Sequence, residues 1–267
     1  MANKIAIVTG CSSGIGRATA LELTARGYEV VATARRPESI ADLAVARTLA
    51  LDVDSDESVT AAQAAVGTVD VLVNNAGFGI DGPVEEVPLA EARRAFETNF
   101  FGAARMIQAF VPAMRERGSG AIVNVTSISG VVGSPLAGFY AATKFALEAL
   151  SESLHIEVGH FGVRVLVVEP GSIATNFGDN MVDLRGRPGP YAELATKWEI
   201  AMGVLGGEAP APGPELVATK ICDALEEERG PLRLPVGADA EMIVAARQGA
   251  SYDDFEAAMR GFLKVDW

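Results

Sequence analysis

The chain has 267 residues, room for one large domain or two small ones, and 49% of them are hydrophobic, which excludes a disordered chain and allows a sizeable core. Its 35 acidic and 22 basic residues leave a formal net charge of −13, which argues against nucleic acid or an anionic membrane as the main partner. Cys11 and Cys222 cannot form a disulfide framework, the first residues are too short an apolar run for a signal peptide, and no run approaches the ~18 apolar residues of a membrane span, so the expected compartment is cytoplasmic.

Ile5 to Val8 reads as a strand buried on both faces, broken at Gly10 to Gly16 and followed by a helix that stops at Gly27. Val30 to Ala34 is a second strand, residues 38–46 a short helix, and Thr48 to Leu51 a third strand ending at Asp52. Asp54 and Ser55 can cap a helix to Val66, and Val69 to Val73 is a fourth strand, closed by Asn74-Asn75-Ala76-Gly77. A long helix runs from Leu89 to Met114 with Asn99 inside it. A fifth strand spans 121–126, a long helix 138–158, and a sixth strand 163–168, stopped by Pro170-Gly171. Strands alternate with helices, and the strands are apolar without a polar alternation. That pattern predicts an α/β fold with a doubly wound parallel sheet and helices on both faces.

Beyond Pro170 the chain becomes rich in Gly and Pro, and residues of about 176–213 are expected to form a substrate lid within a single domain of residues 1–267. Leu194, Trp198, Met202 and Leu205 recur there at helical spacing. Helices over 215–228 and 252–263 complete the chain.

Two stretches carry chemistry. Thr9-Gly10-Cys11-Ser12-Ser13-Gly14-Ile15-Gly16 lies between a strand and a helix, where glycines let the backbone approach a pyrophosphate at a helix N-terminus. The same residues satisfy G-x-S-x-G, with Ser12 as the nucleophile of a serine hydrolase, but His155 and His160 lie late in a helix and offer that reading no base. In the second stretch, Tyr140 and Lys144 stand four apart on one helix face, and Ser127 ends a strand thirteen residues earlier. A free phenol has a pKa of roughly 10, and a nearby ammonium is expected to bring it toward the working pH of a general acid or base. His155 and His160, five apart, have no partners at ligand spacing, so no metal is expected.

In order and spacing, TGCSSGIG, the Asn74–Gly77 motif, Asn99, Ser127, Tyr140-x-x-x-Lys144 and Pro170-Gly171 resemble the short-chain dehydrogenase/reductases, over residues 3 to about 175. The resemblance implies a Rossmann-type domain, a nicotinamide cofactor, and hydride transfer between an alcohol and a carbonyl. Carried over position by position, Tyr140 is the general acid/base, and Lys144 lowers its pKa and holds the nicotinamide ribose. Ser127 bonds the substrate oxygen, and Asn99 props a water relay behind Lys144. The implied cofactor contacts are Gly10, Ser12, Ser13, Gly14, Ile15 and Gly16 in the turn, then Asp52, Val53, Asn74, Ala76 and Gly77. Tyr140, Lys144, Pro170, Gly171, Ile173 and Thr175 complete them, Asn74 partly through the sheet.

The acidic position that would favour NAD falls on Ala34, and Arg35 and Arg36 follow, with Arg17 nearby; NADP is therefore expected over NAD. By family position Phe78, Leu136, Phe139, Met181 and Trp198 line the substrate, which favours an apolar ketone or secondary alcohol. The resemblance also points to a homodimer or homotetramer paired through the 89–114 and 138–158 helices. A catalytically silent dinucleotide sensor is the remaining alternative, and it has no need of Ser127, Tyr140 and Lys144 together.

Overall fold

The computed structural model describes residues 4–206, 210–264 and 266; positions 207–209 of the expected lid lie outside them. In chain order the first half comprises β1 (Ile5–Val8), α1 (Gly14–Ala25), β2 (Glu29–Ala34), β3 (Arg47–Ala50), α2 (Asp56–Val66), β4 (Val71–Asn74), β5 (Ile80–Asp81), α3 (Leu89–Phe96) and α4 (Ala103–Arg117). The second comprises β6 (Gly120–Val125), α5 (Gly138–Gly159), β7 (Val163–Pro170), β8 (Val182–Asp183), α6 (Ala192–Gly206), α7 (Pro214–Glu226), β9 (Arg233–Val236), α8 (Ala238–Arg247) and α9 (Tyr252–Leu263). The main sheet is parallel, in the order β3-β2-β1-β4-β6-β7-β9.

The largely apolar strands divide their side chains between two cores. Ala6, Val8, Val30, Val73, Val123 and Val168 face one side, where α1 and α7 bring Leu23, Val217 and Ile221. Ile7, Val31, Leu72, Ile122 and Val165 face the other, against Val59 of α2, Met106 and Phe110 of α4 and Leu154 of α5. Strand order reverses between β1 and β4, and at such a point the C-terminal strand ends open a crevice for a ligand.

Four expectations change. Residues 38–46 are no helix: one turn of 3-10 helix at Pro37–Ile40 is followed by turns. Ile40, Leu43 and Val45 all pack on the core, and a spacing of two between Leu43 and Val45 would put them on different sides of a helix. The 89–114 helix is interrupted by a π-helical stretch, Glu97–Gly102, which buries Asn99. The sheet has a seventh strand, β9, with α8 after it. Finally, β5 pairs with β8, which ties the residues following Gly77 to the start of the lid. Inside the lid α6 forms as the spacing of Leu194, Trp198, Met202 and Leu205 predicts.

Candidate active site

The glycine turn leaves β1 and enters α1 at the crevice. Gly10 has φ 72°, a left-handed conformation, and a Cβ there would come within 2.9 Å of Ala76 Cα. A Cβ on Gly16 would overlap the Asn75 amide and the Gly10 carbonyl. Asn75 clamps this turn: its Nδ2 donates to Thr9 O at 2.9 Å and Gly10 O at 3.2 Å, and its backbone N–H donates to Thr9 Oγ1. Ser13, the N-cap of α1, makes no side-chain cap bond, so the first N–H groups of the helix face the crevice without one.

A cavity of about 770 Å³ fills the crevice. Its lining includes Gly10, Ser12, Ser13, Gly14 and Ile15 from the turn and Arg35, Asp52, Val53, Ala76 and Gly77 from the next strand ends. Ser127, Tyr140, Lys144, Pro170, Gly171, Ile173 and Thr175 line it from the other side. Three expected contacts, Gly16, Arg36 and Asn74, do not. Gly16 is buried behind the turn, where its role is close approach. Arg36 is exposed, and its carbonyl accepts from Ser39. Asn74 is buried in β4 and donates to Asn124 Oδ1 at 2.9 Å, which continues to Ser151 of α5 at 2.8 Å. Asn99 holds the chain at Phe78, donating to its carbonyl at 2.9 Å and accepting from its N–H at 3.0 Å, and also donates to Thr143 Oγ1. Arg17 is committed to an ion pair with Asp42. Of the expected substrate lining, Phe78 and Met181 face the cavity; Leu136 and Phe139 pack elsewhere, and Trp198 faces a second cavity.

Ser127 caps a short 3-10 turn, its Oγ accepting from Ser129 N–H at 3.1 Å, and lines the same cavity as Tyr140. Burial pushes the Tyr140 phenol up to about 12; the Ser127 hydroxyl acts the other way, and the Asp81 carboxylate adds to the rise. Lys144 is buried and donates from Nζ to Val125 O at 3.0 Å, 5.7 Å from the Tyr140 ring centre. Burial pushes its ammonium down to about 8, with the Glu148 carboxylate resisting. Lys144, expected to lower Tyr140, is not among the groups that move its phenol in this structure, where desolvation dominates. Phe177, at the start of the lid, covers the Tyr140 ring with centres 5.9 Å apart.

Behind Ser127 lies a charged cluster that sequence reasoning missed. Thr126 Oγ1 donates to Glu148 Oε1 at 2.6 Å and Arg233 Nε to Glu148 Oε2 at 3.1 Å. The same guanidinium reaches Glu152 and, at 3.2 Å, Glu169. Glu169 is fully buried, and both its oxygens lack a hydrogen-bond partner among the described residues; burial and the charge of Glu148 push its carboxyl up to about 7. Asp239, also missed, accepts from Ser172 N–H at 2.7 Å and fixes the chain after Gly171. Ser12 is exposed at the mouth of the crevice. His155 is on the outer face of α5, ~22 Å along the helix from Tyr140 at 1.5 Å per residue, so nothing favours the hydrolase reading.

The chain as a whole resembles known proteins. The family model described as short chain dehydrogenase matches residues 4–185. An uncharacterised oxidoreductase, YbbO, of Escherichia coli is 36% identical over 87% of this chain and 85% of its own. A 3-ketodihydrosphingosine reductase of Bacteroides thetaiotaomicron is 36% identical over 99% of this chain and all of its own. Human retinol dehydrogenase 8 is 43% identical over 66% of this chain and 61% of its own. A solved short-chain dehydrogenase from Streptomyces avermitilis superposes with a TM-score of 0.85 at 39% identity, over 99% of this chain and 98% of that one. One from Burkholderia cenocepacia in complex with NADP gives 0.78 at 27%, over 99% and 98%. One from Burkholderia phymatum in complex with NAD gives 0.78 at 26%, over 96% and 95%.

Proposed function

The chain belongs to the short-chain dehydrogenase family, and from that premise we infer that it is an NADP-dependent oxidoreductase that interconverts an apolar ketone and its secondary alcohol. The observation that carries this reading is the set of Ser127, Tyr140 and Lys144 on one wall of a cavity whose opposite end is a glycine turn and an open helix N-terminus. That end fits a dinucleotide pyrophosphate: the backbone is bare where a Cβ would intrude, and α1 presents N–H groups and positive dipole. A nicotinamide dinucleotide bound there supplies or accepts the hydride at the carbon.

The chain's own residues handle the proton. With its pKa held high, Tyr140 is a phenol at neutral pH and donates its proton to the carbonyl oxygen as negative charge develops there. Ser127 donates a second hydrogen bond to that oxygen. Lys144, charged below about 8, stabilises the phenolate that Tyr140 becomes. In the oxidative direction Tyr140 takes the proton back, so oxidation gains as pH rises. Asn99 and Asn75 are positioning residues: one fixes Phe78, the other the glycine turn.

For NADP, Ala34 stands where a carboxylate would meet a ribose 2′-hydroxyl, and Arg35, exposed at the same strand end, lines the cavity. The apolar substrate is supported by Phe78, Phe177, Met181 and Met202 in the lining, and by relatives named for retinol and 3-ketodihydrosphingosine. The chain acts as one domain with 176–213 as its lid. Leu89, Phe101, Phe145 and Ile156 are exposed on the two expected pairing segments, Phe101 on the π-helical stretch within the first, which supports a homodimer or homotetramer. The test is loss of reduced-nicotinamide absorbance with NADPH and a panel of aliphatic and cyclic ketones, beside light scattering at micromolar concentration. NADPH-dependent reduction by an oligomer is expected; a folded chain that binds NADPH yet reduces none of the panel is the silent sensor instead.

A further inference from the structure

A second cavity, about 430 Å³, adjoins the first and shares Ile128, Ser129 and Met202 with it. That volume lies in the range of small-molecule sites, ~300–1,000 Å³. Its walls come from α6, α8 and α9 and the residues after β6, and they are mostly apolar: Trp198, Met202, Leu205, Ile243 and Phe255. Three charged side chains border it, and they are not equivalent. Arg260 donates from Nε and Nη2 to Glu256 Oε1 at 2.8 and 2.6 Å, which makes a neutral pair. Arg247 is half-buried, lies 5.9 Å from the Phe255 ring centre, and spends one donor on Ala250 O at 3.0 Å. It makes no ion pair among the described residues, so most of the five N–H donors of its guanidinium remain unused beside an apolar cavity, in a chain whose net charge is −13.

We propose that the second cavity binds the far end of the substrate, and that the substrate is an amphiphilic carbonyl compound or alcohol: an apolar chain or ring system ending in a carboxylate, which Arg247 grips. This rests on the reading of the first cavity as the site of hydride transfer. The two cavities adjoin at Ile128, Ser129 and Met202, and in this proposal one molecule reaches across that boundary, its carbonyl at Tyr140 and its apolar body between α6 and α9. One guanidinium beside a self-neutralised pair matches one negative charge; a phosphate monoester would bring nearly two. Hydrogen bonds to a charged group contribute ~1.5–3 kcal/mol, roughly ten- to hundredfold in affinity.

Two measurements on the intact chain decide this. By calorimetry, decanoate is expected to bind at least about tenfold more tightly than decanol, and Arg247→Gln to erase that difference while Arg247→Lys retains part of it. In turnover, an aliphatic ketone with a terminal carboxylate is expected to exceed its methyl ester in kcat/KM by a similar factor, again erased by Arg247→Gln with the ester rate unchanged. Equal binding of decanoate and decanol, or tighter binding of decyl phosphate, overturns the proposal, as does equal use of acid and ester when both are reduced. Failure of every ketone, with decanoate bound through Arg247, would overturn the oxidoreductase reading and the substrate assignment while leaving the carboxylate site standing. Thermal melting of each variant confirms that the fold is intact.

Discussion

The two ends of the crevice are made of different materials. At the first, between β1, β2 and β4, backbone does the work: Gly10 in a left-handed conformation, Gly16 against Asn75, and open N–H groups on α1, with the Arg35 guanidinium beside them. At the second, between β6, β7 and α5, ionisable side chains do it: Lys144, Glu148 and Glu169 are buried, and Tyr140 and Arg233 are half-buried beside them. Backbone geometry does not titrate, whereas desolvation moves Tyr140, Lys144, Glu148 and Glu169 away from their ordinary pKa values. The first end should therefore hold its ligand with little regard to pH, and the second should set the pH dependence of both turnover and stability.

Exchanging an effect between the two ends is the strongest attempt to break this division. Tyr140→Phe removes the proton donor and keeps the ring. Turnover should fall by ~10²–10⁴-fold, the usual worth of a positioned acid or base, while NADPH titration by fluorescence stays within about twofold of wild type. Gly16→Ala should do the reverse and weaken NADPH before anything else, because its Cβ displaces Asn75 or the Gly10 carbonyl. If Tyr140→Phe instead lost cofactor binding with residual turnover intact, the two ends would not be separable.

The first end was more legible in the sequence than the second, for a physical reason. Turns that need glycine announce themselves in the chain, as do helices with Tyr140 and Lys144 four apart. The cluster behind Ser127 depends on β9, whose four residues include Pro235, a residue that argues against a strand except at an edge, and β9 is the edge. Arg233 and the reason for burying Glu169 were invisible without it. The two-residue strands β5 and β8 are too short to show a period, and the π-helical stretch at Asn99 runs on from α3 into α4 with no proline to mark it. Asn75 was read only as part of a motif, since its clamp on Thr9 and Gly10 needs the sheet to bring β1 and β4 together.

Stability offers the next test. The Glu169 carboxyl sits at about 7 in the fold against an ordinary 4.5, so the folded state holds its proton more tightly than the unfolded chain. Its contribution is intact below about 4.5 and is lost as pH rises through 7, up to about 3 kcal/mol at ~1.4 kcal/mol per pH unit. Glu169→Gln cannot ionise. Urea unfolding of the two proteins should show the variant gaining on wild type between pH 4.5 and 7 and keeping that gain above 7. A difference independent of pH would mean that Arg233 fully neutralises Glu169.

At the first end, Arg35 beside Ala34 predicts a cofactor preference. Wild-type kcat/KM should favour NADPH over NADH by roughly ten- to hundredfold, the worth of ~1.5–3 kcal/mol of charge-assisted hydrogen bonds. Ala34→Asp with Arg35→Ala should reverse the order. Equal use of both cofactors by the wild type would remove Arg35 from the site.

The smallest effect is the most specific to the second end. Lys144 titrates near 8 because it is buried, and Glu148 keeps it from falling further. If the charged form stabilises the Tyr140 phenolate, kcat/KM for ketone reduction should decline above about 8, by roughly tenfold between pH 7 and 9. Glu148→Gln deletes the carboxylate that favours the ammonium, so the descending limb should move to lower pH. The fold should respond in the opposite sense: a lysine depressed from 10.5 to about 8 adds stability as pH rises through that window, when only the unfolded chain still binds the proton. Activity falling while stability rises over one pH interval has a single group as its common cause. A limb that stayed in place in Glu148→Gln would assign it to a group other than Lys144.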